Sequence, residues 1–563
     1  MRRFAFGGLR GAPAVVVVLA GSALRSQLGP DPDPRSIDSV FARYDHTSTP
    51  GCALGVFRDG RIVYSRGYGM ADLNQGIAIS PKTVFYIAST SKQFAAMSTA
   101  LLAELGRISL DDPIRKFVPE LPAYADKITV RHLVHHTSGI RDYLGLWGQS
   151  GRAFADEIPE GVALDLIARQ RALDFEPGER WSYSNSGYLL QSVIVKRVTG
   201  HSLRQFAEAN IFGPLGMTST HFHDDNREIV TRRAEGYQPK RGGGYEIVRT
   251  SFALVGDGGL YTTVEDLAKW DANFYQNRLG GRGQGLIDQM LTRGRLSNGQ
   301  ELDYAFGLMQ RPYRGLTTVG HGGSFIGFRA QFIRFPDERL SFAVLCNDAT
   351  ANPEQLANRV ADLYLGNRLA DASRPLPSGP SVALTPAQLD RWIGRYELGP
   401  GAVAEVTRRG DTLRISAGAT TARLQAVSDS VFRADGLPGE FVFQRLANGP
   451  GLLASGFGMT APAARLIERP PPTAAELAEY AGRYVSDELD TWAVLAATGD
   501  TLWARMRWSD PRALRPLGRD VFLAQGSRVE FVRDGRGRVT GFKLSAARTL
   551  NLWFAKEPSP VKR

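Results

Sequence analysis

The sequence predicts an α+β domain followed by two small antiparallel β-barrels, and three features point to this. Apolar, strand-like runs lie at both ends of residues 36–368 with helix-forming sequence between them, so one sheet can join the two ends of that segment. Residues 369–386 are rich in Pro, Ser and Ala and read as a linker. Beyond the linker the chain repeats itself. Gly394-Arg-Tyr396 returns as Gly482-Arg-Tyr484, Gly410-Asp-Thr-Leu413 as Gly499-Asp-Thr-Leu502, Val431-Phe432 as Val521-Phe522 and Gly456-Phe457 as Gly541-Phe542, at offsets of 88, 89, 90 and 85 residues. Each copy opens with a short helical piece (386–392 and 474–480) and continues as short alternating strands with polar turns, which places one barrel at 387–468 and the other at 473–558. Two copies are too few for a solenoid to bury a continuous core.

With 563 residues, 43% of them hydrophobic and 10% aromatic, the chain has material for several folded domains. Its net charge of +11 is scattered among 57 acidic residues without a basic run or aromatic-basic interleaving, which argues against a nucleic-acid partner. Arg2, Arg3 and Arg10, the apolar run 12–20 and the small residues Gly21-Ser-Ala23 read as a secretory signal peptide over residues 1–23, which implies a periplasmic or secreted protein. An uncleaved anchor is the alternative, and no other membrane contact is expected. Oligomeric state is not legible.

In chain order, residues 36–44 predict a helix. The runs 52–57 and 62–65 about Asp59-Gly60 predict a β-hairpin. A mostly helical stretch follows to about residue 215. A second hairpin is predicted for 328–335 and 340–346 about Pro336-Asp-Glu338, then a helix over 353–365. The two cysteines, Cys52 and Cys346, fall inside apolar strand-like runs; they read as buried thiols, with a bridge between them left open.

The chemistry centres on Ile87-Ala-Ser-Thr-Ser-Lys-Gln-Phe94. This stretch leads into good helix formers with Phe94, Met97, Leu101, Leu102 and Leu105 at core-facing spacing, so Ser89 sits at a helix start. Lys92, one turn on, can bring its amine beside the Ser89 hydroxyl, and a serine needs such a neighbour to become a nucleophile. By itself Ser-x-x-Lys occurs by chance about once in a chain of this length. Two further stretches raise its weight. In Phe175-Glu-Pro-Gly-Glu-Arg-Trp-Ser-Tyr-Ser-Asn-Ser-Gly-Tyr188, a turn presents Tyr183 and Asn185 on a loop ahead of a helix beginning near Leu189. A tyrosine flanked by cations can have its phenol pKa lowered and accept a proton, and Asn185 can donate to a substrate carbonyl. Thr317-Thr-Val-Gly-His-Gly-Gly-Ser-Phe325 reads as a strand whose glycines allow a substrate backbone close.

With Ser89-Thr-Ser-Lys92, Tyr183-Ser-Asn185 and His321-Gly-Gly323 in this order, residues 36–368 resemble the serine β-lactamase and penicillin-binding superfamily, in its class C β-lactamase, esterase and D-aminopeptidase branch. Supporting stretches are His132-Leu-Val-His-His-Thr-Ser-Gly-Ile140, Ile211-Phe-Gly-Pro-Leu-Gly-Met217 and Gly258-Gly-Leu-Tyr-Thr-Thr-Val-Glu-Asp-Leu267. The resemblance implies a β-lactamase-like catalytic domain with trailing lipocalin-like barrels, as in the D-aminopeptidases, whose barrel loops can approach the cleft. It further implies that Ser89 attacks a carbonyl, with Lys92 and Tyr183 sharing the proton transfers. The amides of Ser89 and Ser324 would form the oxyanion hole, and Asn185, His321, Gly322 and Gly323 would line the substrate site.

His321 stands where the family's commonest pattern has lysine. A neutral imidazole holds a carboxylate more weakly than an ammonium, which points to an amide, ester or small-peptide substrate without an anchoring carboxylate. The alternatives are a β-lactamase, a D-Ala-D-Ala carboxypeptidase, or a catalytically silent penicillin-binding-type sensor. No cofactor is expected. His132, His135, His136, His221 and His223 read as loop residues and not as metal ligands, Gly256-Asp-Gly-Gly259 as a plain turn, and Trp492, Trp503, Trp508 and Trp553 as barrel core or rim.

Overall fold

The structure, a computed structural model, describes residues 30–370, 382–418, 420–434, 439–447, 449–454, 462–466, 470–524 and 526–558. The signal segment 1–23, most of the linker and the pair Gly456-Phe457 lie outside the described residues.

Six strands form the catalytic sheet: β1 (Cys52–Arg58), β2 (Arg61–Tyr68), β3 (Met309–Tyr313), β4 (Leu316–Phe325), β5 (Phe328–Phe335) and β6 (Leu340–Cys346). They pair antiparallel in the order β3-β4-β5-β6-β1-β2, so the β1–β6 pair joins the two ends of the domain. Five helices matter here: α1 (Pro34–Val40), α2 (Lys92–Glu104), α3 (Asn185–Thr199), α4 (Val264–Tyr275) and α5 (Pro353–Leu365). Helix α4 covers one face of β1 and β6, while α5, backed by α1, covers the other face of β6. A strand buried on both faces reads as a near-continuous apolar run, which is why β6 is Leu-Ser-Phe-Ala-Val-Leu-Cys without alternation, its one polar residue, Ser341, donating to Asp271. Its residues still divide by parity. Phe342, Val344 and Cys346 join the core under α5, whereas Ala343 and Leu345 join the main core.

The Asp59-Gly60 hairpin turn has both residues at positive φ (+53° and +74°), the geometry an Asp-Gly pair supplies at least cost. Register places Cys52 directly opposite Cys346, and the two sulfurs are bonded, so the reading of buried free thiols is corrected to a disulfide. Helix α1 begins and ends earlier than the predicted 36–44: Pro34 opens it and Asp33 caps it by accepting from Arg35 N. Helix α2 stops at Glu104, which leaves Leu105 61% exposed at its C-cap instead of facing the core.

Both repeats fold into eight antiparallel strands. The second closes fully, its first strand Gly482–Ser486 pairing with its last, Thr549–Lys556. The first is nearly closed, with the bridge Tyr396 to Arg465 drawing its ends together. The repeated Gly-Arg-Tyr signature has one physical cause in both. Gly394 and Gly482 stand at φ +146° and +144°, a backbone conformation that a residue with a Cβ rarely adopts, and the tyrosines two residues on donate to the Trp392 and Tyr480 carbonyls at 2.8 and 2.7 Å.

The second barrel packs against the helical side of the catalytic domain. Arg141, 3% exposed, reaches Glu488 at 2.8 Å and Asp174 at 3.2 Å, and Leu550 N donates to Asp174. Leu146 of the catalytic domain belongs to the barrel's own core. Removing one member of a buried ion pair strands the other, at about 3–5 kcal/mol. Arg141→Ala is therefore expected to lower the first thermal transition by several degrees and to expose the barrel to limited proteolysis. An unchanged melting profile would show that the docking does not depend on this pair.

Candidate active site

The turn Ala88–Ser91 feeds directly into α2 and lifts Ser89 into a cleft of about 680 Å³. Ala88, the residue before it, is held at φ +47°, a strained conformation for a side chain with a Cβ. Strand β4 presses on this turn, and the approach fixes one glycine: a Cβ on Gly323 would sit 2.1 Å from the Ile87 carbonyl. Ser89 thus faces His321, Gly322, Gly323 and Ser324 across the cleft, and all five line it.

Lys92 is fully buried on the first turn of α2, with Nζ 3.1 Å from Ser89 Oγ. Its remaining hydrogens go to Asn185 Oδ1 at 2.9 Å and the Asp257 carbonyl at 2.5 Å. Burial lowers its pKa, opposed by the charges of Asp257 and Asp142, so the free amine is within reach near neutrality. Asn185 is the first residue of α3, not part of the loop before it. Its backbone N and Nδ2 both donate to Asp142 Oδ2, at 2.7 and 2.8 Å. With Oδ1 taken by Lys92, one Nδ2 hydrogen remains for a substrate.

The Tyr183 hydroxyl is buried beside Ser89 without closing a hydrogen bond. Its pKa runs against the lowered phenol expected from sequence: burial pushes it up, with Ser89 and Arg548 opposing. Lys92 Nζ lies 4.8 Å from the ring centroid. Behind Tyr183, the His136 ring packs at 4.3 Å and its Nδ1 accepts from Ser184 N, which places the His132–Ile140 stretch as the support of the tyrosine.

His321 is fully committed. Nδ1 lies 2.6 Å from the Gly322 carbonyl, which can only accept, so that nitrogen carries the proton and Nε2 receives the Tyr304 hydroxyl at 3.2 Å. Burial, then Lys92, pushes its pKa down to about 3, so it is neutral and offers no cation to the cleft.

Among the lining residues that escaped the sequence reading, Asp257 and Arg548 stand beside the catalytic groups. The Gly256–Gly259 stretch, read as a plain turn, sets Asp257 into the cleft wall, with Oδ2 bonded to Tyr143 and Oδ1 without a partner. Arg548 arrives from the second barrel. Its guanidinium lies 4.8 Å over the Tyr183 ring and 4.0 Å from Asp142, while its carbonyl accepts from Asp142 N. The cleft therefore contains two arginines, Arg329 and Arg548, although its third motif lacks lysine. Only the repeat period linked that part of the chain to the catalytic half, and nothing in the period told which turn would reach it.

Compared with known proteins, residues 37–367 match the family described as Beta-lactamase. The chain belongs to the beta-lactamase family. This beta-lactamase-family chain is 29% identical to a D-aminopeptidase of Cereibacter sphaeroides over 526 residues, covering 90% of this chain and 95% of that protein. It is 28% identical to penicillin-binding protein 4* of Bacillus subtilis over 375 residues, covering 63% of this chain and 81% of that one. Among solved structures, the octameric penicillin-binding protein homologue from Pyrococcus abyssi superposes with a TM-score of 0.55 at 25% identity, covering 75% of this chain and 99% of that one. The chain is a serine hydrolase of the beta-lactamase family with a β-lactamase-like α+β domain and, among the described residues, two eight-stranded barrel-like sheets.

Proposed function

We propose that this is an exported, D-aminopeptidase-like hydrolase that cleaves small D-aminoacyl amides, peptides or esters through an acyl-enzyme on Ser89. The observation that carries the reading is the Ser89–Lys92 contact of 3.1 Å, with Lys92 held by two other acceptors so that its lone pair, once freed, has one proton to take. Ser89 Oγ bonds to the substrate carbonyl carbon as its proton passes to Lys92 Nζ. The oxyanion is met by the Ser89 and Ser324 amides. The leaving amine or alcohol takes a proton handed on through Lys92 and Tyr183, and water then releases the acid by the reverse path.

Three further features support the substrate class. The D-aminopeptidase likeness covers 90% of the chain, well beyond the catalytic domain. Asp257, which lines the cleft, has a buried carboxylate oxygen without a partner, an acceptor that a substrate ammonium would satisfy on binding. Export fits the Cys52–Cys346 bond, since disulfides persist in oxidising compartments.

A screen of D- and L-aminoacyl amides, p-nitrophenyl esters and nitrocefin tests the reading. D-Aminoacyl amides with a free amine are expected to be turned over fastest, and N-acetylation or Asp257→Asn to slow them. Nitrocefin as the preferred substrate would replace it with a β-lactamase. Arg548 favours a second, narrower reading in which the leaving group carries a carboxylate. Arg548→Ala should then raise KM about tenfold or more for dipeptides with a free C-terminus relative to their amides, and equal changes for both would remove it.

A further inference from the structure

Away from the catalytic cleft, His221, His223 and Glu228 bring three ligating atoms together. His221 begins a short strand paired with Leu260–Thr262, and His223 continues it by donating its amide to the Gly259 carbonyl at 2.7 Å. The intervening Phe222 is buried in the main core, so the two histidines, two residues apart, turn to the same outer side. Glu228 comes back to them through a turn in which its amide donates to the Asp225 carbonyl.

The distances define the arrangement. His221 Nε2 lies 3.4 Å from His223 Nδ1 and 3.6 Å from Glu228 Oε2, and His223 Nδ1 lies 3.4 Å from that same oxygen. These edges are longer than the ~2.7–3.2 Å of good hydrogen bonds. Two of them match, and the third exceeds by about 0.2 Å, the ~3.3–3.4 Å edges of a tetrahedron whose centre lies about 2.0–2.1 Å from each corner, the bond length of zinc to imidazole and carboxylate. A near-equilateral triangle of this size has a point about 2 Å from all three atoms, the distance a bound ion needs.

The surroundings prepare the ligands. Arg204 forks onto both Glu228 oxygens at 2.6 Å each, which fixes the carboxylate's orientation, as hydrogen bonds to metal-ligating carboxylates do. Asp224, 3.3 Å from Arg204, offsets part of the added positive charge. His223 also lines a cavity of about 450 Å³ with Tyr261 and Arg233.

We propose that His221 Nε2, His223 Nδ1 and Glu228 Oε2 form a binding site for one four-coordinate divalent transition-metal ion, zinc by its ligand set, with water as the fourth ligand. The sequence reading takes His221 and His223 as loop residues and does not draw in Glu228, five residues beyond His223. Through His223 N and Gly259 O the ion braces the segment that holds Asp257 in the cleft wall, and it takes no part in acyl transfer.

The test uses the full chain without a polyhistidine tag, stripped with chelator and titrated with Co²⁺ as a spectroscopic stand-in for zinc. Wild type is expected to bind one equivalent with the intense visible bands of four-coordinate cobalt, displaced by Zn²⁺. His221→Ala and His223→Ala should each abolish the bands, Glu228→Gln should weaken binding at least tenfold, and Ser89→Ala should keep the full signal. The last result separates this site from the acyl-transfer reading, which can fail without touching it. Circular dichroism confirms that each variant is folded, and Glu228→Gln serves if a histidine variant is not. Failure of folded wild type to bind stoichiometrically at about 100 μM Co²⁺, a weak six-coordinate spectrum, or undiminished binding in folded His223→Ala overturns the proposal.

Discussion

Ser89→Ala is expected to reduce kcat/KM on the preferred substrate by about 10⁴-fold or more, with melting temperature shifted by only a degree or two. The size follows from the chemistry, since removing the nucleophile of an acyl-transfer site removes the covalent route and leaves only binding and the oxyanion hole. The small stability effect follows from position: Ser89 is half-buried at the cleft floor, and its hydroxyl is bonded to Lys92 alone among the described residues. The strain at Ala88 is set by the packing of β4 on the turn, which the substitution leaves in place. Wild-type-like turnover in Ser89→Ala would mean that the chemistry resides elsewhere in the chain.

Lys92 carries the second large effect. Lys92→Met keeps the length of the side chain and loses the amine, and is expected to slow acylation about 10³-fold. It also leaves Asn185 Oδ1 and the Asp257 carbonyl without their donor and Asp257 without its counter-charge, so some loss of stability accompanies it. The pH profile separates the two effects. Proton acceptance requires the unprotonated amine, so kcat/KM rises with pH through an acid limb, and burial places its midpoint below the ~10.4 of an ordinary lysine. In Lys92→Met that limb should vanish from the residual activity. A limb unchanged in the variant would assign it to another group.

Much of the fold could be read from local pattern. The two hairpins, the helix at 353–365 and the duplicated barrels follow from apolar runs, Asp-Gly and Pro-Asp turns and a repeat period, each of which acts within a few residues or one repeat. The fused state of Cys52 and Cys346 could not be read that way, because it depends on β1 pairing with β6 across the whole catalytic domain. The site divides similarly. Ser89 and Lys92 are a turn apart in one segment, so their contact is a local consequence of helix geometry. Asn185 falls at the head of α3, where Asp142 captures both its donors. The tyrosine's electrostatics were misjudged because burial, a property of the folded surroundings, outweighs the neighbouring cations. Asp257 sat in a glycine-rich turn that resembles any other. Arg548 depends on how one domain docks on another, through Arg141, Glu488 and Asp174, and no spacing within either domain encodes that.

Mass spectrometry of the folded chain after reaction with a fluorophosphonate, followed by peptide mapping, tests the central claim most directly. One adduct per chain is predicted on the peptide containing Ser89, absent in Ser89→Ala and formed more slowly in Lys92→Met. A folded wild-type chain that takes up no label, or carries it on a residue other than Ser89, would contradict it.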